Sequence, residues 1–142
     1  MALGAQLDEG ILDENFVSLV EDAGEELLPE ILDLYISDGE ETIKELLKAC
    51  EGGDEDKCDL EEVQKLIHRL KGSSLNIGAA QICETCKAVR QLCVDSKPRE
   101  TRETLVEMSA TFEKVKESLR WYLSSMGRRK RLKTDDASDA NR

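Results

Sequence analysis

His68 is the only histidine in the chain. It stands in the run His68-Arg69-Leu70-Lys71-Gly72-Ser73-Ser74. A neutral imidazole nitrogen is a good nucleophile near pH 7. Whether it can act as one depends on where it points. A helix turns about 100° per residue. With Val63 at zero, Leu66, Ile67, Leu70, Ser74 and Ile77 all fall within about 60°, which makes them the buried stripe. His68 lies roughly 140° away, on the outward face. Gln64, Lys71 and Gly72 flank it at roughly 100°, 80° and 180°, and Leu75 sits at roughly 120°.

By default a lone histidine is a surface residue or a satisfied core residue. The wheel removes the core version, and three neighbours weaken the surface version. Lys71 at i+3 can reach a group attached to the ring. An imidazole carrying a phosphoryl group needs such a cation. Gly72 at i+4 costs ~1 kcal/mol relative to Ala inside a helix. Its use would be clearance for the phosphoryl group and for a partner's site. Leu75, apolar on the wet side, fits a docking surface. Arg90, on the following helix, lies roughly 60° off that helix's buried centre. It can lean toward His68 or form an interhelical salt bridge, and the two readings are equally weighted.

The elements that must hold these residues are helices. The chain has 142 residues, of which 39% are hydrophobic, only 4% aromatic and 36% charged. That composition suits one aliphatic-cored helical domain. Five helices are predicted. The first runs from Glu14 to Ala23, capped by Asp13 and ended by Gly24. The second runs from Glu26 to Cys50, with Pro29 near its start, and is broken by Gly52, Gly53 and Asp54. The third spans Leu60 to Asn76 and exits at Gly78. The fourth spans Ala79 to Asp95, with Ile82, Cys86, Val89 and Cys93 buried. The fifth is capped by Ser96 and runs to Met126. Its seam of Leu105, Met108, Phe112, Val115, Leu119, Tyr122 and Met126 alternates three- and four-residue steps, as bundle seams do. Residues 1–126 are thus one helical bundle domain, and 127–142 a basic, polar tail expected to be disordered.

Net charge is −11, yet residues 128–142 carry +3, which leaves −14 for the body. An acidic body argues against nucleic-acid binding by the bundle. No apolar run approaches the ~20 residues of a membrane span, and no secretory signal is expected. Five cysteines, an odd count, point to free thiols in a reducing compartment. Cys83-x-x-Cys86 reads as small core residues rather than a metal or redox site. No phosphate cradle, kinase motif or metal-binding carboxylate cluster is evident, so no cofactor and no metal are expected. Any electrostatic catalysis or metal would come from a partner.

The run from His68 to Ser74, followed by Gly78-Ala79, resembles the signature of histidine-containing phosphotransfer proteins. The resemblance is strongest to plant-type members of cytokinin-responsive phosphorelays. It covers residues 11 to 126, and Arg90 falls at a position characteristic of the plant proteins. The resemblance implies an all-α fold, an antiparallel four-helix bundle with an additional N-terminal helix. It implies His68 as phosphoryl acceptor, Lys71 as its charge partner and Gly72 as the clearance position. Gln64, Leu75 and Arg90 become candidate binding residues. The implied partners are receiver domains of hybrid sensor histidine kinases and of response regulators. The chain would then be a phosphohistidine carrier, monomeric, rather than a stand-alone turnover enzyme. Family members that have lost the histidine act as inhibitors, and His68 is present. The alternatives are a receiver-binding helical module or a scaffold that works without phosphorylation. Arg128-Arg129-Lys130-Arg131-Leu132-Lys133 resembles a nuclear-localisation segment, so cytoplasmic and nuclear residence is expected.

Overall fold

The structure, a computed structural model, describes residues 10–51 and 57–140, with side chains as far as Met126. Within them the chain forms four helices: α1 (Glu14–Ala49), α2 (Leu60–Ile77), α3 (Ala80–Val94) and α4 (Pro98–Ala140). Each packs on its neighbour in sequence, and α4 closes back on α1. Two-residue and three-residue links join α2 to α3 and α3 to α4, which makes those neighbours antiparallel.

The expected additional N-terminal helix is the first arm of α1. Gly24, at φ 72° and ψ 179°, interrupts the helical backbone and sets the two arms at an angle. Asp13 caps the first arm by accepting from the Asn15 N–H at 2.8 Å. The arm docks through a second glycine. Gly78 follows α2 in the left-handed region at φ 85°, and its carbonyl accepts from the Asp13 N–H at 2.9 Å. A Cβ at Gly78 would collide with the Phe16 backbone N and Asp13 Oδ1. Gly78→Ala therefore combines a left-handed penalty with a backbone clash, and should cost about 2 kcal/mol or more. A urea midpoint equal to wild type would refute this.

The core is aliphatic with a few aromatic anchors. Phe16 meets Tyr122 edge-on at 5.3 Å, tying the first arm to α4. Tyr35 meets Phe112 at 5.9 Å, tying α1 to α4. Gly39 makes room for that ring: a Cβ there would press on Phe112 Cζ at 2.5 Å. The buried positions of α2 are Val63, Leu66, Ile67, Leu70, Ser74 and Ile77, the stripe its periodicity predicts. Cys86, Val89 and Cys93 are likewise in the core.

Three expectations require correction or extension. Ser96 does not cap α4. It adopts φ 54°, its N–H bonds to the Cys93 carbonyl, and the Lys97 N–H bonds to Leu92. That pair of bonds is a Schellman closure of α3. The free-thiol expectation fails for two of the five cysteines: Cys50 and Cys58 form a disulfide. The Asp59 N–H bonds to the Ala49 carbonyl at 2.9 Å, which draws the two ends of the intervening segment together. The predicted breakers Gly52, Gly53 and Asp54 lie outside the described residues. Finally, α4 keeps helical backbone to Ala140, past the predicted end at Met126. One glycine, Gly127, costs ~1 kcal/mol, and the Arg, Lys and Leu that follow are good helix formers.

Candidate functional site

The outward face of α2 is fixed by what its other faces hold. Two polar pins reach from it to α1. The Tyr35 hydroxyl and Ser74 Oγ lie 2.7 Å apart in the buried interior. Burial raises the Tyr35 pKa well above its ordinary value, so the pin stays a neutral hydrogen bond. Arg69 donates to Thr42 Oγ1 at 2.9 Å, and Thr42 itself is buried. Arg69 also lies 3.7 Å from a Glu45 carboxylate oxygen. With the apolar stripe inward and Arg69 drawn to α1, His68 is left on the free side.

Asp59 begins the helix by accepting from the Glu62 N–H at 3.2 Å. Glu61 and Glu62 occupy the first turn, where carboxylates favour the helix dipole. His68 follows two turns later, fully within regular helix. Its side chain is exposed.

Around it runs an open groove of about 740 Å³ between α2 and α3, lined by Glu61, Gln64, Lys65, Ile67, His68, Lys71, Gly72, Leu75, Cys86 and Arg90. All six site residues expected from the sequence therefore line one surface: His68, Lys71, Gly72, Gln64, Leu75 and Arg90. Leu75 is 52% exposed. A Cβ at Gly72 would meet nothing within 4 Å, so its lack of a side chain keeps the groove open without serving any internal packing. Arg90 is exposed and forms no ion pair among the described residues. The interhelical salt bridge weighed for it is not made.

Sequence reasoning passed over Lys65 and Glu61, which also line the groove. The signal was available: they stand at i−3 and i−7 from His68, on the same face. Cys86 contributes to the floor, and burial pushes its thiol up to about 12. It stays protonated at neutral pH and does not act as a thiolate. The imidazole is left as the candidate nucleophile of the described groove. An anion bound to it would face Lys71 and Arg90.

Comparison with known proteins agrees with this geometry. The Hpt domain model matches residues 30–126, more than half of the chain. The chain is 32% identical over 87 residues to histidine-containing phosphotransfer protein 1 of rice, an alignment covering 59% of this chain and 57% of that protein. It is thus similar to that relative over little more than half of the relative's length. It is 27% identical to histidine-containing phosphotransfer protein 4 of Arabidopsis thaliana, covering 82% of this chain and 92% of the relative. Among solved structures, it superposes on a histidine-containing phosphotransfer protein from maize with a TM-score of 0.78 and 26% identity, covering 87% and 97% of the two chains. A counterpart from Medicago truncatula gives a TM-score of 0.80 at 22% identity, covering 94% and 89%; that likeness speaks to the fold. With the family model spanning the helix that bears His68, this chain belongs to the Hpt domain family of histidine-containing phosphotransfer proteins.

Proposed function

We propose that the protein is a phosphorelay mediator that accepts a phosphoryl group on His68 and passes it on. The observation that carries this reading is the exposed imidazole in mid-helix, without a side-chain partner among the described residues, with an ammonium one turn away and a bare backbone position beside it. The donor is the aspartyl phosphate of a hybrid sensor kinase's receiver domain. The unprotonated ring nitrogen attacks phosphorus with its lone pair. The N–P bond forms as the P–O bond to the aspartyl carbonyl breaks, and the leaving carboxylate keeps the electron pair. The second ring nitrogen holds the ring proton, so no proton need leave the attacking atom. Transfer to a response regulator's aspartate is the same step in reverse. We place it in cytokinin-type signalling, the setting that the resemblance of the His68–Ser74 run to plant-type members implies.

The direct test is a labelled phosphoryl group. A receiver domain loaded with radiolabelled acetyl phosphate is mixed with the chain. Label appearing on the chain, stable in alkali and lost in acid, is the expected outcome. An acid-stable, hydroxyl-linked label would overturn the reading.

We further propose residence in both cytoplasm and nucleus, with the basic run Arg128–Lys133 aiding import. A fluorescent fusion with the five basic residues of that run changed to Gln should show a smaller nuclear share. An unchanged distribution would remove the run from the account.

A further inference from the structure

We infer that Lys65 is a specificity-determining residue of the transfer site, forming with Lys71 a two-sided cationic clamp for an acidic partner pocket. The inference rests on the phosphotransfer reading above and extends it to a residue with no assigned role.

The geometry is symmetrical about the histidine. Lys65 stands three residues before His68 and Lys71 three after it. Each is displaced about 4.5 Å along the axis and about 60° around it, in opposite senses. The imidazole therefore projects between two ammonium groups. Both lysines line the groove, with Arg90 on its far wall. Lys65 is exposed. Among the described residues, no ion pair or hydrogen bond engages the side chain of Lys65, Lys71 or Arg90. Glu61, four residues before Lys65 at a spacing suited to pairing, also lines the groove but forms no ion pair with it. Three cations thus face one carboxylate.

That balance is the inverse of the molecule's. Outside residues 128–142 the chain carries −14, a field that would repel an acidic partner. A local cationic patch on an acidic body orients an incoming carboxylate-rich site toward the one place that accepts it. A pocket whose phosphoryl acceptor is an aspartate is such a site. Once the ring carries the phosphoryl group, the two ammoniums offset the added charge from both sides.

The test is initial-rate transfer from a receiver domain loaded with acetyl phosphate, across receiver concentrations and at low and high salt. Lys65→Gln should raise KM about five-fold at low salt with kcat changed less than about two-fold, and should flatten the salt dependence. Lys65→Glu should raise KM further, and Lys65→Arg should restore it. Lys44→Gln, on an exposed α1 lysine outside the groove, removes the same charge elsewhere. Equal effects in Lys65→Gln and Lys44→Gln would reduce the clamp to net charge and overturn the inference. So would an unchanged KM in Lys65→Gln while wild type still takes up label, and that outcome leaves the phosphotransfer reading standing. Wild type taking up no label from any receiver would overturn both. Circular dichroism of each variant verifies that the bundle is intact.

Discussion

His68→Gln should abolish phosphoryl uptake, with label falling at least about a thousand-fold to background, while the melting curve stays in place. Glutamine keeps the length and polarity of the side chain but offers no nucleophilic nitrogen. The thiol that lines the same groove, Cys86, is buried and protonated. Stability should move by less than about 0.5 kcal/mol, since an exposed residue without internal partners contributes little. Receiver binding should survive, because the groove's cations and Leu75 remain. The combination separates the relay from its rival. A module that only binds receivers would signal normally with glutamine at this position. Label retained on the glutamine variant at wild-type level would end the assignment of His68.

Gly72→Gln should separate stability from transfer in the opposite direction. Replacing a glycine inside a helix with glutamine gains about 0.5–1 kcal/mol in backbone propensity. Nothing in the fold resists it, since a Cβ there meets no atom within 4 Å. The variant should melt higher than wild type. Transfer should nevertheless fall by about a hundred-fold, the scale of loss when reacting atoms are held ~1 Å out of place. The new side chain stands one turn from His68 on the same face, where, on the proposed function, the phosphoryl group and a partner's aspartate would meet. Thermal denaturation and single-turnover transfer on one preparation give both numbers. Wild-type transfer rates in this variant would show that the bare position serves something other than approach.

Much of the site was legible before any coordinates. The α2 stripe predicted from a 3.6-residue period is buried residue for residue, because a long helix commits its apolar positions to one side whatever it packs against. Asp13 and Gly24 act as predicted because caps and helix-breaking glycines work within a few residues of chain. Ser96 misled because serine before a proline-led helix looks like an N-cap. Which of two adjacent helices a linking residue serves depends on the backbone of both. Gly39 and Thr42 gave no signal at all. Their burial answers to Phe112 and Arg69, residues far along the chain.

The sequence by itself determined that this chain is a helical bundle with one outward imidazole flanked by lysine and glycine, since periodicity and local spacing fix directions within a single helix. The tertiary structure decided what that imidazole faces. The azimuth of α2 is set by Tyr35 meeting Ser74 and Thr42 meeting Arg69, pairs separated by 39 and 27 residues. That azimuth opens the groove toward α3, brings Arg90 to its far wall and leaves the side chains of Lys65 and Lys71 without an ion pair among the described residues. Such an arrangement follows from how four helices interlock around one core, and the spacing within one helix does not contain it.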